Sequence, residues 1–258
     1  MFVGKMSQIT INKIKSFGVK VLPIPKYFIS LKIRINNYRW KIYEEYLNNN
    51  KNKYNLVFTA DVRDTFFQTD IFKKYKNLKP FLGIALENNN LSQITNKNWL
   101  IDVYGLELYE TIKNKKIICS GTVWGTVEKF REFSRIMWEK LASKWSKCFK
   151  IIDQAVMNFI IYHEKLFNDC LIKSESKEGP VMTMGLIKDK DIILDFDNNI
   201  LNNKSEIISI IHQYDRKPFI VKKVRNKYCV EKNILNDSKI TLNKNKKIYI
   251  KKKNYGII

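Results

Sequence analysis

The chain has 258 residues, enough for one large domain or two small ones with a sizeable buried core. Hydrophobic residues make up 45% and aromatic residues 13%, which excludes a disordered chain. The net charge of +22 suggests nucleic acid, but the lysines are scattered among Asn and Ile, and only the C-terminal stretch concentrates them, so no nucleic-acid partner is expected.

In chain order, MFVGKMSQITINKIKSFG offers a helix at most, and the following VKVLPIP reads as a strand ended by proline. NNYRWKIYEEYLNNN carries Trp40, Tyr43 and Tyr46 or Leu47 at helical spacing. YNLVFTAD is the next strand and KPFLGIALE another, followed by a polar loop, NNNLSQITNKN. KKIICSGTVWG predicts a strand running into a glycine turn. TVEKFREFSRIMWEKLASKW predicts an amphipathic helix with Phe130, Phe133, Met137 and Leu141 on one face, Thr126 as N-cap and Glu128 in the first turn. DQAVMNFIIYHEKLF predicts a second helix capped by Asp153. GPVMTMG and DIILDFDNNILNN read as short strands and turns, and EIISIIHQYDRKPF as a strand entering a functional loop. The alternation predicts the α/β class: one three-layer α/β/α domain over residues 1–229 with a mainly parallel central sheet. A basic tail at 230–258 has few positions to bury and is expected to be dispensable for the core.

No apolar run reaches the length of a membrane span, and the N-terminus lacks the core and cleavage site of a signal peptide, so a soluble chain is expected. Cys119, Cys148, Cys170 and Cys229 are isolated, with no CxxC pair, which argues against structural zinc and for buried thiols. Two disulfides would need an oxidising compartment.

The chemistry concentrates in YNLVFTADVRDTFFQTDIF, where an apolar strand ends in Asp61, Arg63 and Asp64. Ligands of open α/β sheets bind at the carboxyl ends of strands. Two carboxylates there call for a cation such as Mg²⁺ or Mn²⁺, and that cation suits a diphosphate. Arg63 would pair with a phosphate or hold a carboxylate. The plainer reading is a capped turn with Arg63 paired to its neighbour on the surface.

Taken with NKNWLIDVYG, IICSGTVWGT, IIDQAVMNF and IIHQYDRKPF in this order, the segment resembles the nucleotide-diphospho-sugar transferases of the GT-A fold, a Rossmann-like α/β architecture. The similarity is to an uncharacterised group with DVRDxxFQ and a late HQYDR, and it spans about residues 30–225. It implies a metal-dependent glycosyltransferase that moves a sugar from a nucleotide-diphosphate donor to a glycan, protein or lipid acceptor. Asp61-Val62-Arg63-Asp64 matches the acidic motif as D-x-x-D and not D-x-D, which leaves open which aspartate is the direct ligand. Asp64 is preferred, with Asp61 on the ribose side or as second ligand. Ser120 and Gly121 match a small-residue turn lining the donor pocket, whereas Gly125 reads as an ordinary turn glycine. Asp153 and Gln154 match a pair that holds donor hexose or acceptor, and Asn158 lies one turn on, on the same helical face. His212 matches the late histidine that supplies a third metal ligand, more apt for Mn²⁺ than Mg²⁺. Glu87, at a strand end, reads as a surface residue or a further group facing the cleft, and His163 as structural.

One departure counts against catalysis: the N-terminal stretch offers little of the strand and loop that cradle the nucleotide base in such enzymes. A catalytically inactive or truncated GT-A-like binding domain is therefore the alternative, and a basic nucleic-acid-binding protein the second. Retention and inversion both stay open, with His212 favouring retention. The resemblance implies the ER or Golgi lumen if an N-terminal anchor is restored, and the cytoplasm otherwise.

Overall fold

A four-stranded sheet organises the molecule, in the order β3 (Leu56–Ala60), β6 (Lys116–Thr126), β5 (Leu82–Asn90) and β7 (Leu171–Glu175). The structure is a computed structural model and describes residues 2–3, 6–25, 33–75 and 78–227. The tail at 230–258 and Cys229 lie outside the described residues. β6 pairs antiparallel with both β3 and β5, and β5 pairs parallel with β7. Three of the four strands thus run one way, and the mainly parallel sheet expected from the sequence contains one reversed strand at its centre. The apolar runs of β5 and β6 are buried on both faces, as central strands require.

Helices cover one face of this sheet. Leu82, Ile84, Leu86 and Val123 pack against α2 (Ile35–Asn48), α5 (Val127–Ala142) and α6 (Asp153–Tyr162) in the main core. Phe130, Phe133, Met137 and Leu141 are all fully buried there, the stripe expected from their spacing. Trp40 sits edge-on to Phe133, with ring centroids 5.4 Å apart, and locks α2 to α5. The opposite face is not a plain helical layer. A three-stranded sheet packs there: β4 (Thr65–Phe67), β11 (Ile210–His212) and β8 (Val181–Thr183), with Trp124, Ala85, Val181 and Ile210 in its core. Helix α7 (Pro218–Lys227) lies behind it through Ile220. Two-residue strands β9 (Ile193–Leu194) and β10 (Ile200–Leu201) form a separate hairpin.

Three local expectations are corrected. The polar stretch NNNLSQITNKN is not a loop, because β5 runs on to Asn90 and α3 (Ile94–Tyr104) begins inside it, followed by α4 (Leu106–Ile112). The start of α3 is hidden in sequence because its cap is Gln93, whose side chain accepts from the N–H groups of Thr95 and Asn96 in place of the usual Ser, Thr, Asp or Asn. Helix α6 ends at Tyr162 and not at Phe167, since Lys165 and Phe167 take left-handed backbone. Thr126 is the N-cap of α5 as expected, although its hydroxyl turns to the Phe81 backbone and not to the helix; in α6 the N-cap is Ile152 and not Asp153.

At the N-terminus, β1 (Phe2–Val3) and β2 (Leu22–Pro23) pair in parallel across α1 (Gln8–Ser16), a small β-α-β unit where the sequence offered only a helix and a strand. The unit shares no ladder with the central sheet among the described residues. The bonds from Asp61 N–H to the Gly121 carbonyl and from Val127 N–H to the Asn55 carbonyl turn alternate residues of β3 towards β6. The backbone groups of Leu56, Phe58 and Ala60 consequently face the other edge. An apolar cavity of about 530 Å³ lies along it, lined by Val19, Tyr43, Phe58, Phe67, Phe72 and Phe130 among others. Cys119, Cys148 and Cys170 are free thiols.

Candidate metal centre

Two strand pairings and one glycine assemble the centre. β3 ends at Ala60, and the chain turns through a short 3₁₀ segment, Val62–Asp64, before β4 starts at Thr65. β4 lies antiparallel to β11 with Thr65 opposite His212, so the ladder itself carries the histidine next to Asp64. On the other side Asp61 lies opposite Gly121, donating its N–H to the Gly121 carbonyl at 3.0 Å. Residues 120–122 fall in a break between the pairs Ala85↔Cys119 and Ile84↔Val123, so β6 bulges away from β5 at the site. A Cβ at position 121 would sit 2.4 Å from His212 Cε1 and 2.9 Å from Asp61 Oδ2; only glycine admits the ring.

One ligand atom each from Asp61, Asp64 and His212 lies within 4.8 Å of the others. His212 Nε2 is 3.7 Å from Asp64 Oδ1 and 3.9 Å from Asp61 Oδ2. Those separations are too long for hydrogen bonds. They suit ligands of one cation, since atoms roughly 2.1 Å from a shared ion lie about 3.0 Å apart when cis and about 4.2 Å when trans. Asp64 Oδ1 and His212 Nε2 are both buried with no hydrogen-bond partner among the described residues. Buried polar atoms are rarely left so, and a shared cation would satisfy both. The two carboxylates and one imidazole nitrogen form a mixed oxygen–nitrogen set that fits Mn²⁺ better than Mg²⁺.

The charges agree with this reading. Arg39, buried in α2, donates to Asp61 Oδ1 at 2.7 Å, to Asp153 Oδ2 at 2.5 Å and to the Ser120 carbonyl at 2.8 Å. Burial works against its charge, but Asp153 and Asp61 more than offset that and hold it protonated. One guanidinium therefore serves two of the three carboxylates and leaves Asp61 Oδ2 free to face the histidine. Among the described residues Arg63 is the one arginine or lysine within ion-pair distance of Asp64, at 3.9 Å, and its side chain is 68% exposed. Burial, with Asp61 and Asp215 nearby, pushes Asp64 up to about 6. Burial also pulls His212 down to about 4, so the ring is neutral near pH 7 and can act as a ligand. The cluster is short of positive charge at Asp64.

The remaining sequence candidates divide in two. Ser120 donates its N–H to Gln154 Oε1 at 3.2 Å, and Gln154 reaches Asn96 Oδ1 at 2.9 Å, so Ser120, Gly121, Asp153 and Gln154 lie around the acidic pair. Asn158 does different work: its amide accepts from Ile118 N–H and donates to the Ile118 carbonyl, both at 3.0 Å, and donates to the Gln154 carbonyl. It clamps α6 to β6 in the interior, so helical spacing alone does not bring it to the ligand side. Arg63 reaches Asp215 at 3.7 Å, and Arg216 holds Asp215 at 3.1 Å, placing two guanidinium groups at the mouth of the site. Gly125 is structural but not the turn glycine expected: β6 runs through it, pairing it with Val57 and Leu82, and the Phe81 carbonyl lies 2.4 Å from where its Cβ would be. His163 caps the end of α6 and stacks on Phe159.

Arg39 is not among the residues that the sequence singles out, and of the two readings of Glu87 the surface one is corrected. The signal for Arg39 was an arginine four residues before Tyr43, beside the apolar stripe of α2. Glu87 is buried instead, and burial pushes it up to about 7.

No protein-family model and no curated protein sequence matches the chain. Among solved structures it is similar to the galactosyltransferase LgtC in complex with donor and acceptor sugar analogues. That likeness has a TM-score of 0.45 and 12% identity, over 84% of this chain and 78% of the galactosyltransferase.

Proposed function

We propose that the chain is a metal-dependent glycosyltransferase that transfers a sugar from a nucleotide-diphosphate donor to an acceptor hydroxyl. The observation that carries the reading is the convergence of Asp61, Asp64 and His212, with Asp64 Oδ1 and His212 Nε2 buried, facing each other and unpaired. The ordered motifs of the sequence support the same class. Asp61, Asp64 and His212 would hold the divalent ion, which when bound supplies positive charge to a leaving diphosphate.

The chain's own groups have the following parts. Arg39 fixes Asp61 through one oxygen and Asp153 through another, setting the carboxylate geometry before any ligand arrives. Arg63 and Arg216 present exposed guanidinium groups suited to phosphate oxygens. Gly121 keeps the floor free of side chain, and Gln154 holds the Ser120 turn. These are preorganised charges, the usual source of stabilisation when a phosphate leaves.

The test is a thermal-shift panel of nucleotide diphosphates and nucleotide sugars, each with and without Mn²⁺. Binding to the native state raises the melting point by linkage. The reading expects shifts for some nucleoside diphosphates that need Mn²⁺ and vanish in Asp64→Asn. A chain that responds to no member of the panel, or responds equally in Asp64→Asn, is not this enzyme.

A further inference from the structure

The connection between α5 and α6, residues 143–152, is tied to the core by backbone bonds yet turns its largest side chains outward. The N–H groups of Lys144, Lys147, Cys148 and Lys150 donate in sequence to the carbonyls of Leu141, Lys144, Trp145 and Lys147. Asn37 of α2 closes the stretch from inside. Its amide donates to the Cys148 and Lys150 carbonyls at 2.9 and 2.7 Å and accepts from the N–H groups of Ile152 and Asp153. Arg34 adds a bond to the Phe149 carbonyl at 3.0 Å, and Cys148 and Ile152 are buried anchors. Trp145, Phe149 and Ile151, by contrast, are 49%, 59% and 41% exposed. Single exposed apolar residues need no explanation, but three within seven residues on a backbone this well bonded form a patch.

Cations are interleaved with the apolar tips. KWSKCFKI sets Lys144, Lys147 and Lys150 at every third position, and exposed Arg34 joins them beside Phe149. Lys150 Nζ lies 5.8 Å from the centre of the Phe149 ring, so charge and apolar surface are in contact. Asp102 of α3 is the acid in ion-pair contact with this group among the described residues, and Lys147 and Lys150 share it at 2.8 and 3.0 Å. Four cations against one carboxylate leave the patch positive. An anionic bilayer complements both parts: apolar tips enter the headgroup layer, while lysine stems carry their ammonium groups to lipid phosphates. Tryptophan also favours that interface. A single-stranded nucleic acid would want rings to stack on, and Ile151 offers none.

We propose that residues 144–151 are a contact surface for anionic lipid bilayers, with Trp145, Phe149 and Ile151 entering the headgroup layer and Lys144, Lys147, Lys150 and Arg34 facing lipid phosphates. The attachment is peripheral and reversible, because a few apolar side chains and cations fall far short of an inserted span. It stands apart from the sugar-transfer reading. It also leaves Asp153, two residues beyond Ile151, close to the membrane.

The test uses the full chain with vesicles of phosphatidylcholine and phosphatidylserine whose acyl chains carry bromine, at about 0.15 M salt. Bromine quenches tryptophan that enters the bilayer, and Trp145→Phe supplies the background from the other four of the five tryptophans. Wild type is expected to lose emission that Trp145→Phe does not lose, and pure phosphatidylcholine to have little effect. In co-sedimentation, Phe149→Ser with Ile151→Ser keeps the charge and should weaken binding about 10-fold or more, since roughly half of each side chain leaves water. Replacing Lys144, Lys147 and Lys150 by Ala should weaken it about 100-fold, from about five-fold per lysine. Melting curves of these surface variants should match wild type. Equal quenching in Trp145→Phe would put the contact elsewhere on the chain and overturn the proposal, as would binding unmoved by the serine pair. A dimer in the absence of vesicles that the serine pair separates overturns it in favour of a second copy. Binding to poly(U) RNA but not to vesicles, lost in the serine pair, overturns it in favour of nucleic acid. Release from vesicles by inorganic phosphate at fixed ionic strength, with wild type and the serine pair binding alike, reduces the patch to a phosphate site and also overturns it.

Discussion

Gly121→Ala is the smallest change that addresses the site and nothing else. The added methyl would lie 2.4 Å from His212 Cε1, 2.7 Å from Nε2 and 2.9 Å from Asp61 Oδ2, where a normal contact begins at 3.4 Å. The ring must therefore retreat by about 1 Å, and overpacking of this kind costs about 1–3 kcal/mol. At roughly 2–4 °C per kcal/mol for a chain of this size, the melting point should fall by about 2–12 °C. Ligand distances tolerate only about 0.2 Å, so the same displacement should weaken Mn²⁺ binding at least about 10-fold. Gly125→Ala is the matched control, because its methyl would meet the Phe81 carbonyl at 2.4 Å on the same strand but away from the acidic pair. Melting curves and EPR titrations on both variants separate the two effects: each should lose stability, and only Gly121→Ala should lose the ion. A folded Gly121→Ala that binds Mn²⁺ like wild type would refute the placement of His212 in the site.

Arg39→Ala leaves Asp153 buried without its partner and should cost about 3–5 kcal/mol in urea unfolding, whereas Lys150→Ala, which removes one exposed ion pair to Asp102, should cost about 0–1 kcal/mol. Glu87 gives a pH signature. Its folded-state value is raised from 4.5 to about 7, so its contribution to stability is fully present below about 4.5 and is lost as pH rises through about 7. Glu87→Gln should therefore gain on wild type between about pH 4.5 and 8, by on the order of 3 kcal/mol, and parallel stability curves for the two proteins would contradict this. Asn158→Ala removes both bonds to Ile118 and should cost about 1–3 kcal/mol while leaving Mn²⁺ affinity unchanged; a loss of affinity would place Asn158 at the ligand after all.

Much of the site was legible because its parts are strand ends with distinctive residue types. Asp61 and Asp64 follow an apolar strand, and His212 is one of only two histidines, so unusual chemistry stood out against an otherwise ordinary α/β pattern. What local pattern does not contain is the partner across the ladder. The pairing of Thr65 with His212, and the bulge at residues 120–122, are tertiary facts, so the close approach of Gly121 to the ring was invisible. Arg39 was missed for a related reason: a charged residue beside an apolar helical stripe reads as its edge, and only burial against Asp153 reveals the pair. Asn158 shows the opposite error, where correct helical spacing from Gln154 was taken to imply a common ligand, yet the backbone of Ile118 claims its amide. The helices after Asn90 were hidden by polar composition and by a glutamine cap.

The most direct measurement is a crystal of the full chain grown with MnCl₂, with anomalous scattering recorded at the manganese edge. The account predicts a peak between Asp64 Oδ1, His212 Nε2 and Asp61 Oδ2 in wild type, and none there in Asp64→Asn. Manganese bound elsewhere on the chain while Asp64 and His212 stay unligated would contradict it.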